Sequence, residues 1–219
     1  MHHGTKKLFL GLVIVIFITG LLFVFQFKKS SAITTKNTPE PLLSPYAINI
    51  PISSSDPMLG NPGAPLTLVA FLDLGDKESR DVYAMLVDFV QKHPEDARLI
   101  WKDLPKESII FGNNNVAHQA AWCAHDQKRF WPFVNEIMSG RDRNTEQELR
   151  EAAVATKLDV EKWWTCTLEP ATVSRVAGAA PLARELGGRE APLLFINNKR
   201  LNVQADIDLP QMLSSFIAK

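Results

Sequence analysis

Cysteine is scarce: the 219 residues hold only Cys123 and Cys166, and no Cys-x-x-Cys pair occurs anywhere. A local dithiol centre is thereby excluded, and so is a cysteine-rich metal cluster. Charge bias is missing too, because basic and acidic residues number 24 each and the formal net charge is zero. Without a basic stripe or an arginine-rich tract, nucleic acid is not an expected partner. No internal repeat is visible.

One long apolar run is present. Residues 8–25 (LFLGLVIVIFITGLLFVF) carry no charge. As a helix at about 1.5 Å per residue they would reach roughly 27 Å, close to the hydrocarbon thickness of a bilayer. Lys6 and Lys7 precede the run and Lys28 and Lys29 follow it. A cleaved signal peptide ending at Ser30-Ser31-Ala32 is the competing reading, but the run exceeds the usual h-region and two lysines separate it from that site. The expectation is a single-pass signal-anchor: residues 1–29 as a short stub and transmembrane helix, amino terminus cytoplasmic, and the rest of the chain extracytoplasmic, on the periplasmic or cell-surface side. In an exported chain two cysteines suggest one disulfide. Residues 30–55 are rich in Ser, Thr and Pro and read as a flexible linker spanning roughly 30 Å. Within it Ile48, Ile50 and Ile52 alternate and could add an edge strand.

From residue 56 to 219 the pattern is that of a folded domain. Leu66 to Asp73 is a short apolar strand bounded by Pro65 and Gly75. Val82, Met85, Leu86, Phe89 and Val90 form the apolar stripe of the next helix, which ends at His93 before Pro94. Ala97 to Asp103 is a second strand, so strand–helix–strand makes a right-handed parallel crossover. A helical block, about 113–186, follows. Residues 115–139 form a helical region interrupted by Pro132. Thr145 and Glu148 make a capping box, Asp159 caps a short helix with Trp163, Trp164 and Cys166, and residues 171–186 close on Gly187-Gly188. Pro192–Ile196 and Arg200–Val203 flank Asn197-Asn198, a hairpin signal, and Asp208 and Pro210 open a last helix. The fold class is α/β.

Four stretches resemble the DsbA-like branch of the thioredoxin superfamily. They are Asp56 to Pro65 ahead of the first core strand, Phe71-Leu72-Asp73-Leu74 at its end, Ala120 to Ala124 with Phe130 to Phe133 in the helical block, and Ala191 to Asn198. The resemblance implies a thioredoxin-like fold with a helical insertion, covering most of residues 56–217. It implies a cis bond before Pro192, in a loop that faces the active-site turn and binds extended peptide through its backbone. It also implies a structural disulfide between Cys123 and Cys166, as in some relatives. The departure lies in the turn, Asp76-Lys77-Glu78-Ser79: the two cysteines of the family's active site fall on Asp76 and Ser79, and Ala191 stands where Thr or Val is common. Disulfide exchange needs an attacking thiolate, so the active site is degenerate and the family's activity does not carry over to these positions.

For Asp76 a simpler role suffices: at a helix start it accepts an N–H bond and complements the dipole, which also favours its ionised form. Asp73, Asp76 and Glu78 offer too few oxygens for a hard cation. His118 and His125 share a helical face, but Cys123 lies elsewhere on the helix wheel and could not ligate if disulfide-bonded; solvated histidines are the expectation and no metal or other cofactor is called for. Trp122, Trp131, Trp163 and Trp164 read as core and rim aromatics. Pro192 could simply start a strand.

The preferred expectation is a membrane-anchored, non-redox polypeptide-binding or scaffolding module using the groove between Asp76 and Pro192. Two rivals stand beside it: a thiol-disulfide oxidoreductase or isomerase working through Cys123 and Cys166, and a structural envelope component whose groove is idle.

Overall fold

The computed structural model describes residues 43–106, 115–139, 145–202 and 208–217. The apolar run 8–25 and the first part of the linker lie outside them. Among the described residues no helix is long and apolar enough to cross a membrane.

In chain order the elements are β1 (Leu43–Ala47), β2 (Met58–Gly60), β3 (Leu66–Leu72), α1 (Lys77–Lys92), β4 (Ala97–Asp103), α2 (Asn115–Asp126), α3 (Phe130–Ser139), α4 (Glu146–Ala155), α5 (Val160–Thr167), α6 (Pro170–Ala177), α7 (Ala179–Glu185), β5 (Leu193–Ile196), β6 (Lys199–Leu201) and α8 (Leu209–Ile217). The strands form one sheet, ordered β1-β6-β5-β3-β4-β2. β3 and β4 run parallel, with Leu68 beside Leu99, while β5 pairs antiparallel with β3, Phe71 beside Leu193.

β3 is covered on both faces, which explains its unbroken apolar run. Leu66, Leu68, Ala70 and Leu72 join the core under α1 and the inserted helices, and Val69 and Phe71 join a second core with Ala183 of α7. The crossover β3–α1–β4 therefore fixes where β3 stops and α1 begins, and the candidate site lies at that junction.

Several boundaries differ from the sequence reading. The edge strand is Leu43–Ala47, inside the segment read as linker 30–55, and not the isoleucine patch. Pro45 lies in the β1 edge strand, where proline is tolerated, and Ile50 is buried in the second core. Met58–Gly60 adds an unforeseen short strand on β4. The break in 115–139 falls ahead of Pro132, at Lys128, whose φ is 61°. Pro132 instead sits in the first turn of α3, where a missing N–H costs nothing. The span 171–186 is two helices divided at Gly178. Asn197 and Asn198, at φ 46° and 66°, make the tight β5–β6 turn.

Gly60 has φ +91°, and a Cβ there would meet the Ala97 carbonyl oxygen at 2.4 Å. Gly60→Ala is expected to cost about 2 kcal/mol or more, read as a lowered urea midpoint with unchanged slope.

Candidate functional site

β3 ends in Asp73 and the chain turns through Leu74 and Gly75 into α1. Asp76 is the N-cap, its Oδ2 accepting the Ser79 N–H at 2.7 Å. Ser79 is fully buried, and its Oγ accepts the Asp73 N–H at 3.2 Å. Asp73 Oδ1 accepts the Gly75 N–H at 2.8 Å and Oδ2 the Lys106 N–H at 2.9 Å. Both degenerate positions are thus occupied in holding the turn. Burial pushes the Asp76 carboxyl up, against the pull of the Ser79 N–H, and the neighbouring Glu78 carboxylate adds to the rise. The helix-start N–H of Ser79 favours the ionised form, as expected, while partial desolvation and the second carboxylate raise the carboxyl by more than that N–H lowers it.

Behind the turn lies a buried polar network that sequence reasoning missed. His118 of α2 is fully buried, not solvated, and its Nδ1 lies 2.6 Å from Asp103 Oδ1. Its Nε2 lies 3.4 Å from Asp73 Oδ1. Asp103 also accepts the indole N–H groups of Trp101, at 2.8 Å, and Trp122. Burial by itself would lower the His118 pKa, but its hydrogen bonds to Asp103 and Asp73 and their charges carry it up to about 9. Burial pushes Asp73 up, yet His118 and two backbone N–H groups hold it below its usual value. The Leu74 N–H is 3.1 Å from Nε2, a contact that only a neutral ring can accept. The carboxylates of Asp103 and Asp73 favour the protonated ring, and the Leu74 N–H pulls the other way.

In front of the turn is a cavity of about 750 Å³, within the usual size range of ligand pockets. Asp73, Asp76 and Glu78 line it from the turn, Leu104 to Lys106 from the end of β4, Ala180 and Arg184 from α7, and Arg189 to Ala191 from the loop before β5. The Ala191–Pro192 bond is cis, so the Asp76 turn and the Ala191 loop border one cavity.

Cys123 and Cys166 are joined by a disulfide, S–S 2.01 Å and Cα–Cα 5.9 Å, linking α2 to α5. Cys123 is buried, and neither cysteine lines the cavity. Trp163 reinforces the link, its Nε1–H donating to the Ala120 carbonyl at 2.8 Å. His118, Cys123 and His125 do not converge, since the first serves the buried network and the second the disulfide. Among the described residues no group of three or more potential ligands is placed to hold a metal ion.

No family model matches the chain. Two curated relatives are Na⁺/H⁺ antiporters: NhaA of Herminiimonas arsenicoxydans, 24% identical over 163 residues, and NhaA 1 of Mycolicibacterium gilvum, 30% identical over 152 residues. The matches take in 74% and 66% of this chain, which spans only about a quarter of each antiporter, 26% and 24%. Among solved structures, a thioredoxin-like oxidoreductase from Silicibacter pomeroyi superposes with a TM-score of 0.63 at 23% identity, over 75% of this chain and 91% of that one. Wolbachia pipientis α-DsbA1 superposes with a TM-score of 0.63 at 15% identity, over 77% and 91%. The fold is the thioredoxin-like α/β fold of the DsbA type, and the one cysteine pair in it is not a Cys-x-x-Cys.

Proposed function

We propose that this DsbA-type thioredoxin fold serves as a non-redox, polypeptide-binding module, held outside the cytoplasm by a membrane anchor at residues 8–25, with the stub before it cytoplasmic. One observation carries the reading: the turn at the mouth of α1 holds Asp76 and Ser79 in hydrogen bonds that cap the helix, beside an open cavity. Oxygen-bearing side chains there cannot exchange disulfides, whereas an extended chain can bind without sulfur chemistry through the backbone of the loop at Ala191. Cys123 and Cys166, the remaining candidates for redox work, are not among the residues lining the cavity. The relatedness to antiporters over a stretch the length of the folded domain supports a module that works beside a membrane, and the apolar run supplies the means of staying there.

Insulin reduction by the full chain in detergent, with dithiothreitol as reductant, is expected to show no rate above the uncatalysed background. Turnover that disappears in Cys123→Ser would establish the oxidoreductase reading instead. On an array of capped nonapeptides the same preparation is expected to retain a subset of sequences, and Ala191→Trp, which fills the cavity edge, to lose them all.

A further inference from the structure

The cavity is not of one charge. Asp76 and Glu78 face it from the start of α1, and Lys106 and Arg189 line it from the end of β4 and the loop before β5, with Glu190 next to Arg189. Among the described residues, no ion pair engages the side chains of Lys106, Arg189 or Glu190. The chain as a whole has no net charge to steer a partner from a distance. Discrimination in this cavity therefore has to act at contact range.

Resting on the polypeptide-binding reading, we propose that the cavity selects a partner segment carrying a basic and an acidic side chain close together. The basic group would sit against Asp76 and Glu78, the acidic group against Lys106 and Arg189. Asp76 is half-buried, whereas Glu78, Lys106 and Arg189 are exposed, so each pair contributes modestly and selectivity comes from several acting together. A segment of a single sign gains one set of contacts and is repelled by the other, and an uncharged segment strips water from the lining charges without replacing it. Selectivity then comes as much from rejecting these two classes as from attraction to the third. Because the lining carries charges of both signs, salt weakens both sets of contacts.

The test uses the full chain in detergent and capped nonapeptides that share an alanine-rich frame around Lys-Ala-Glu, Glu-Ala-Lys, Lys-Ala-Lys, Glu-Ala-Glu or Gln-Ala-Gln. At least one mixed-sign peptide is expected to bind about tenfold more tightly than the glutamine peptide, which corresponds to 1.4 kcal/mol. Arg189→Glu is expected to abolish that advantage and to shift preference towards Lys-Ala-Lys; Glu78→Lys is expected to shift it towards Glu-Ala-Glu. Arg189 lies on an exposed loop, so its variant decides the matter even where Glu78→Lys, at a helix start, melts early. Equal binding of the glutamine peptide, or tightest binding of a single-sign peptide by the unaltered chain, overturns the charge selectivity and leaves the binding module standing. Binding of no peptide at all overturns both.

Discussion

Replacing His118 with leucine is expected to lower the unfolding free energy at pH 7 by about 3–5 kcal/mol, the usual result of removing one partner from a buried charge network. The size follows from what remains. Asp73 and Asp103 are both 1% exposed, and without His118 between them they become two buried carboxylates of like sign. The indole N–H groups on Asp103 and the backbone N–H groups on Asp73 stabilise those charges but do not neutralise them. Adding Asp103→Asn to His118→Leu should recover part of the loss, since it removes one orphaned charge, so the double variant is more stable than additivity predicts. The intact protein supplies a second readout. With the His118 pKa raised to about 9 from about 6.5 unfolded, the unfolded chain sheds that proton first. The stabilisation is therefore complete below pH 6.5 and fades as pH climbs through 9, a change on the order of 3 kcal/mol. Urea midpoints taken between pH 6 and 9.5 should trace this decline in the native sequence and show it flattened in His118→Leu. A loss below 1 kcal/mol with the pH profile unaltered would reduce His118 to a space-filling side chain.

The frame of the domain was legible because its signals are local. β3 and β4 declare themselves by short apolar runs between Pro, Gly and Asp, α1 by its stripe from Val82 to Val90, and α4 by the Thr145–Glu148 box. Their order around a helical insertion carries the topology. Asp76 as a cap was equally readable, from its place just before that stripe. The buried network was not. Asp73, Asp103 and His118 lie on three elements, with 45 positions between the first and last and 15 between the second and last, and no short-range pattern announces such a meeting. His118 carries no local mark of burial, because helical spacing says nothing about what packs on a helix face. One signal was available in retrospect: α2 carries alanines at 117, 120, 121 and 124, all buried, and a helix so rich in small buried residues leaves little surface for a histidine to occupy. The edge strand Leu43–Ala47 was missed for the opposite reason. Its Ser and Pro look like a tether, and only the exposed edge of β6 makes it a strand.

The second large effect belongs to the Cys123–Cys166 disulfide. It closes a loop of 43 residues, and in the chain-entropy model such closure stabilises by about 4 kcal/mol. Cys123→Ser with Cys166→Ser is therefore expected to lower the thermal midpoint by roughly 8–16 °C for a domain of this size. The loss is felt mainly in the insertion, because the bond ties α2, which carries His118, to α5. Peptide binding measured at 25 °C, well below either midpoint, should be unchanged, for neither sulfur borders the cavity. Accessibility separates this structural role from a redox one. A thiolate must reach a sulfur along the S–S axis to exchange with it; Cys123 is 1% exposed, and Cys166 is half-buried against the core. Dithiothreitol is accordingly expected to leave the bond intact in the native protein and to cleave it readily in 6 M guanidinium, as read by thiol labelling before and after denaturation. Rapid reduction under native conditions, together with insulin turnover that depends on Cys123, would place the chemistry back on this pair and remove the basis for a sulfur-free function.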